Sequence, residues 1–308
     1  MDNKVKIVSV ERPAYLPHMR REINWVYEGV DLREAPIGVL METVRLTEHL
    51  KGPTAVGNYI KANQILSGNV LLIVDHRVSL DLEITKVVGE LNKIVFPARA
   101  MEIRFADPDL PAMLVGRVDK GQLMENGEVV PDAGVVFAAD AKDGATLTLS
   151  IPDSIWPKYV QGQYNEHMNA FTQFDQTMEN DEAEMMRYMT MLAVKVLAFA
   201  SVPQLGPKLL TTKAEKKEAG LHPKHIKATQ KIYSVRYLPH VYREKVEVAH
   251  DSSGKTRQFL GRAGTIRFYK DERYVNMKGQ WQFIPPIPPP KGIAIIYKVR
   301  KPSVGRVL

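Results

Sequence analysis

The run "YMTMLAVKVLAFASV" (Tyr188–Val202) restricts the fold of this chain more than any other stretch. It carries a single charge, Lys195, within 15 otherwise apolar or small residues. A bilayer span needs about 20 apolar residues, so the run is too short for a membrane. A helix that is apolar all the way round has to be enclosed by other layers of the protein. Its start is marked by Asn180 or Asp181 as cap and by Glu182 and Glu184, which suit the positive end of a helix dipole. Pro203, Gly206 and Pro207 stop it. The rest of the chain must therefore supply at least two surfaces to cover this helix.

Several other segments predict the material for those surfaces. "NVLLIVD" (Asn69–Asp75) reads as a buried strand, being short, apolar and rich in branched residues. "GVVFAADAKDGATLTLSI" (Gly134–Ile151) reads as a hairpin, with two β-prone runs around a polar turn ending in Asp143-Gly144. "PIGVLMETVRLTEHLKG" (Pro36–Gly52) has proline near its start and Lys51-Gly52 at its finish, and predicts a helix. Ile37, Leu40, Met41 and Val44 form one stripe, with Val39, Leu46 and Leu50 opposite, so two buried faces are expected. "LDLEITKVVGELNKIV" (Leu80–Val95) fits a helix interrupted by Gly89 or two strands, and the helix is preferred. After Ile232 the β-prone stretches "IYSVRY", "EKVEVAH", "TIRFY", "QWQFI" and "IAIIYKVR" recur, which predicts a small antiparallel sheet or barrel.

The expected fold class is α+β. Residues 1–206 form a mixed α/β unit containing the hairpin and the long buried helix. Residues 207–231, rich in lysine and short of large apolar side chains, read as an exposed basic connector, and residues 232–308 as a basic, aromatic β-rich module.

Charge divides along the same line. Residues 207–308 hold 22 Lys and Arg against 7 Asp and Glu, a balance of +15, whereas residues 1–206 hold 20 against 28, a balance of −8. A basic region of this kind calls for an acidic partner, most simply nucleic acid. The alternative is that the two parts neutralise each other across an interface.

Most enzyme chemistry is not legible. The chain has no cysteine, which excludes disulfides, thiolate metal sites and a cysteine nucleophile. It contains no phosphate-binding glycine loop, nucleophile elbow or paired-histidine zinc motif. Asp75 with Asp81 and Glu83 has the composition of a metal-dependent nuclease cluster but generic spacing. His222 and His225 lack a second ligand pair, and "DQTMENDEAE" (Asp175–Glu184) lacks the glycine and alternation of a calcium loop. No catalytic residue, cofactor or metal is therefore expected. The first residues, "MDNKVKIVSVERPAY", have no apolar core of the signal-peptide type, and a soluble, cytoplasmic protein is expected.

One stretch does carry a chemical signature. "GRAGTIRFYKDERYVNMKGQWQFIPPIPPPKG" (Gly261–Gly292) interleaves cations with aromatic rings. Arginine and lysine neutralise phosphates, and aromatic faces stack on unpaired bases. If "TIRFYK" is a strand, alternation puts Arg267 and Tyr269 on one face and Phe268 and Lys270 on the other. Arg262, Arg267, Lys270, Arg273 and Lys278 are the candidate phosphate contacts, and Tyr269, Tyr274 and Trp281 the candidate stacking faces. The closing prolines read as a stiff exit from the sheet, with Ile284 and Ile287 placed to pack.

The same stretch resembles the closing segment of a family of phage- and plasmid-encoded proteins. That family includes the anti-CRISPR proteins that suppress production of the type V-A CRISPR effector nuclease. The matching residues are Arg262 and Arg267, then Glu272-Arg273-Tyr274, Lys278-Gly279-Gln280, and Phe283 with Pro285 and Pro286. Pro239-His240, "RFADPDLPAML" (Arg104–Leu114) and the helix-then-connector order agree more loosely. Gly264 stands where the family strand usually carries a histidine, and Ile287 with further prolines replaces its usual Trp-Gly ending. The resemblance implies a mobile-element origin and a non-enzymatic regulator or inhibitor in counter-defence. The partners expected are RNA or a ribonucleoprotein for the basic region and a protein target for the N-terminal part. An interaction protein whose basic tail docks on an acidic protein surface is the alternative, and a nuclease ranks last.

Overall fold

The computed structural model describes residues 8–48, 52–89, 93–118, 124–125, 128–129, 134–154, 180–203, 205–218, 221, 230–236, 264–285 and 295–299. The chain begins with β1 (Val8–Arg12), a small hairpin of β2 (Val26–Tyr27) and β3 (Val30–Asp31), and helices α1 (Ile37–Glu48) and α2 (Pro53–Leu66). Next come β4 (Val70–Val74), α3 (His76–Glu83), β5 (Lys86–Val88), β6 (Ala100–Phe105) and β7 (Met113–Val118). A second small hairpin, β8 (Met124–Glu125) and β9 (Glu128–Val129), precedes β10 (Gly134–Asp140), β11 (Thr146–Pro152) and α4 (Asn180–Ala200). Then follow β12 (Lys208–Leu209), α5 (Lys213–Glu218), β13 (Lys231–Val235), β14 (Thr265–Tyr269), β15 (Gln280–Ile284) and β16 (Ile295–Val299). The class is α+β, as expected.

All five residues of β4 are buried, because the strand lies inside a seven-stranded sheet of order β11-β10-β7-β6-β4-β13-β12. β4 runs parallel to both β6 and β13, and the remaining pairs in this sheet are antiparallel. A strand covered on both faces has no polar side to alternate with, which accounts for the unbroken apolar run. The expected hairpin is β10 and β11, turning at Gly144 with φ +100°.

One face of the sheet packs on α2, where Ile60 meets Leu114, Val136 and Ala138. The other face packs on α4, whose Met185, Met189, Leu192 and Val196 belong to the same buried core. On its far side α4 meets a separate three-stranded sheet of order β15-β14-β5, with Phe199 and Phe283 edge to face at 4.9 Å. Lying between two sheets, α4 is buried along most of its surface, with Glu184 exposed and Arg187, Tyr188, Met191 and Lys195 half-buried along one stripe, which is most of the enclosure its sequence demands. Among the described residues no helix is long and apolar enough to cross a membrane.

Four expectations change. α1 buries one face and not two, with Val39 and Leu46 exposed. Leu80–Val95 is not one helix: α3 stops at Glu83 and β5 begins at Lys86, where pairing with β14 overrides helical propensity. The connector contains β12 and α5, and its Leu210 and Leu221 are buried against Leu71, Ile73 and Ile232. The strands after residue 207 also do not form a self-contained sheet. β13 pairs with β4, β14 with β5 and β16 with β1, so strand pairing crosses the expected boundary at three places. Only the antiparallel β14–β15 pair is internal to that region among the described strands outside the seven-stranded sheet. "EKVEVAH", Pro239-His240 and His222–His225 lie outside the described residues.

Candidate nucleic-acid interface

The β14–β15 hairpin sorts its side chains by alternation. Ile266, Phe268, Trp281 and Phe283 point inward, in register as Ile266 with Phe283 and Phe268 with Trp281. Arg267 and Tyr269 point outward, opposite Gln282 and Gln280. β5 adds its own outward residues, Lys86 beside Thr265 and Val88 beside Arg267, while Val87 turns inward beside Ile266. The exposed side of this sheet is therefore a platform of Lys86, Val88, Arg267, Tyr269, Gln280 and Gln282.

The turn after β14 borders the platform. Asp271 caps the short 3-10 helix Glu272–Tyr274 by accepting from the Arg273 N–H. The Tyr274 ring meets Tyr269 edge to face at 4.6 Å, and the Arg267 guanidinium lies 5.9 Å from the centre of the Tyr269 ring. Both tyrosines and Arg267 thus form one connected group, within the range of cation–π attraction.

The expected residues fare differently. Arg267, Tyr269 and Tyr274 come together on the open side, and Lys270 is exposed at the end of β14. Arg273 is engaged by Asp271, with Nε and Nη2 at 2.9 and 2.6 Å from Oδ2. Lys278 is engaged by Glu272, with Nζ 3.0 Å from Oε1. The side-chain and backbone donors of Arg273 hold the Asp271 carboxyl below its usual range, so this pair stays ionised and internally neutralised at neutral pH.

Trp281 is not a surface stacking face. It is 3% exposed, its ring packs edge to face on Phe268 at 5.3 Å, and its indole N–H donates to the Lys93 carbonyl at 3.1 Å. Burying the indole gains more than solvating it once its N–H has a partner. Ile284, expected to pack, is 41% exposed because it shares the outward side with Thr265. Arg262 and Ile287 lie outside the described residues.

Lys86 and Val88 were not legible as site residues. They reach the platform only through the parallel pairing of β5 with β14, and no local spacing announces a partner so far along the chain.

The nuclease cluster does not assemble. Asp75 caps α3 by accepting from the Arg77 N–H at 2.9 Å. Glu83 lies in the interior, gripped by Arg12. Among the described residues, no three His, Asp or Glu side chains gather as a metal would require. The ion pairs defined between described residues join partners from the same part of the chain, either within 1–206 or within 207–308. Among the described residues the two parts are joined by strand ladders, apolar packing and the Trp281 hydrogen bond to the Lys93 carbonyl.

Fold and site together define an α+β protein that presents a small aromatic and cationic sheet face beside a deeply buried helix. No family model matches the sequence, and no curated protein matches it. Among solved structures, one described as the crystal structure of AcrVA2 is similar, with a TM-score of 0.38 and 11% identity. The similarity covers 85% of this chain and 86% of that one. At that TM-score the likeness carries no argument about function.

Proposed function

We propose that this protein is a non-enzymatic, mobile-element-encoded regulator or inhibitor that holds nucleic acid, RNA by preference, on the outer face of β5, β14 and β15. The observation that carries the reading is the sorting of the hairpin: its apolar rings turn in, while Arg267, Tyr269 and Tyr274 turn out as one connected group. Such a pairing of guanidinium and aromatic faces is what unpaired bases and phosphates are held by. The +15 balance of residues 207–308 adds long-range attraction for a polyanion. Counter-defence of the anti-CRISPR kind is the role implied by the resemblance of residues 262–286.

A protein target for the N-terminal part completes the proposal. α1 buries Leu40 against α2 but leaves Ile37 68% and Met41 61% exposed, with Val39 and Leu46 exposed on its other flank. Apolar residues clustered on one surface element mark interaction sites. The +15 balance of residues 207–308 also favours a second reading, an interaction or assembly protein whose basic tail docks on an acidic protein surface.

Fluorescence anisotropy of the full-length protein with labelled RNA and DNA, across a salt series, tests the proposal. Binding that weakens as salt rises is the expected result. An absence of binding to every form at moderate salt rejects nucleic acid as the partner and leaves the assembly reading.

A further inference from the structure

We infer that the ligand of this platform is a single strand with unpaired bases, held by stacking on Tyr269 and Tyr274 more than by phosphate contacts, with Lys86 of β5 as a phosphate-binding residue. The inference rests on the nucleic-acid reading above and narrows it.

The charge on the platform is smaller than the sequence advertises. Arg273 and Lys278 are each committed to a neighbouring carboxylate, Asp271 and Glu272. Those carboxylates stand at the rim of the platform and would repel a closely approaching phosphate chain. Arg267 and Lys86 are the outward cations of the sheet for which no carboxylate partner is found among the described residues. Proteins that grip a duplex commonly engage about 6–10 phosphates, and two cations on one small face fall well short of that.

What the face has in quantity is planar surface and hydrogen-bonding amides. Tyr269 and Tyr274 meet edge to face, and the Arg267 guanidinium extends the planar surface beside Tyr269. Gln282 and Gln280 lie directly across from Arg267 and Tyr269 in the ladder. Each offers both a donor and an acceptor to a base edge. In a duplex, base faces are covered by neighbouring pairs and cannot stack on tyrosine, whereas a single strand exposes them. Lys86, two positions before Val88 on the same side of β5, sits where a backbone crossing the sheet would pass.

The test compares 12-nucleotide single strands of RNA and of DNA, of one sequence, with the matching duplexes, by anisotropy on the full-length protein. Wild type is expected to bind a single strand at least tenfold more tightly than either duplex. With two phosphate contacts, the slope of log K against log salt is expected at about −1.4. Tyr269→Ala is expected to weaken single-strand binding roughly 5- to 150-fold, the range that loss of one stacked base covers, while Tyr269→Phe retains it. Lys86→Ala is expected to flatten the slope by about 0.7, and Arg273→Ala to leave it unchanged. Exposed Tyr274→Ala serves as a second stacking variant should Tyr269→Ala lower the melting temperature. Preference for RNA or for DNA among single strands supports the inference in either case and identifies the ligand. Equal or tighter duplex binding overturns the inference, as do wild-type affinities in the tyrosine variants, and in both cases the nucleic-acid reading survives. Wild type that binds no probe overturns both.

Discussion

The guanidinium of Arg12 and the carboxylate of Glu83, 71 residues apart, meet in two hydrogen bonds of 3.1 and 2.6 Å, with side chains only 3% and 1% exposed. A second carboxylate, Asp107, accepts from the same Nη2 at 2.7 Å, and the Tyr188 hydroxyl donates to Glu83. Through this contact the end of β1 is tied to α3, to the loop after β6 and to α4. Substituting Arg12→Met leaves two buried carboxylates without their cation, which is expected to destabilise the protein by about 3–5 kcal/mol. The midpoint of urea unfolding measures it. A change under 1 kcal/mol would show that water reaches the cluster.

Acid should weaken the same cluster. Burial pushes the Asp107 carboxyl up, but hydrogen bonds from Arg12 and the Asp109 N–H outweigh it and hold the group below its usual range. A carboxyl depressed on folding contributes stability that is complete above its unfolded pKa of about 4 and is lost as pH falls through the lower folded value. Urea midpoints should therefore drop below pH 4 in wild type. In Asp107→Asn this part of the acid dependence should be missing.

Lys195 predicts a further rise of stability with pH in alkali. Burial lowers its pKa to about 8, although its ammonium donates to the Glu83 carbonyl at 3.0 Å. Between about pH 8 and 10 the unfolded chain holds the proton at Lys195 more firmly than the folded one, so stability rises with pH in that window. Lys195→Met should remove the rise. An unchanged slope in that variant would assign it to another group.

Gly89 closes β5 at φ +134°, a conformation that L side chains rarely adopt. A Cβ there would lie 2.6 Å from the Phe268 Cβ and 3.0 Å from its backbone nitrogen. Gly89→Ala is expected to cost roughly 1–3 kcal/mol from backbone strain alone, with the clash in addition. Hydrogen exchange should localise the loosening to β5 and β14. Protection left at wild-type level would mean that the strand shifts to accept the methyl group.

Inward and outward residues of the hairpin should separate cleanly. Trp281→Ala opens a cavity beside Phe268 and is expected to cost about 3–5 kcal/mol. Arg267→Ala, on the exposed side, should change stability by no more than about 0.5 kcal/mol. Thermal melts of the two variants measure the contrast. Equal losses would place Arg267 in the core of the fold.

Elements whose signal is local were legible in the chain itself. The α4 run announces enclosure because an all-apolar helix has no wet face to offer. β4 reads as buried from five branched or leucine residues, and the β10–β11 hairpin from its turn at Asp143-Gly144. That Arg267 and Tyr269 share one face follows from strand alternation alone, and the packing of Phe268 against the core is what turns that face outward. Tertiary structure decided the rest. Lys86 joins the platform because β5 pairs with β14, and Trp281 turns inward because α4 and Phe268 offer it an apolar bed. Arg273 and Lys278 are paired with carboxylates because the turn geometry brings Asp271 and Glu272 onto them. α1, expected to bury two faces, buries one, since α2 covers Leu40 and leaves Met41 in solvent. The physical reason is common to all four. Periodicity and turn chemistry act over a few residues, whereas the choice of strand partner, covering layer and counter-ion is made between residues brought together only by folding.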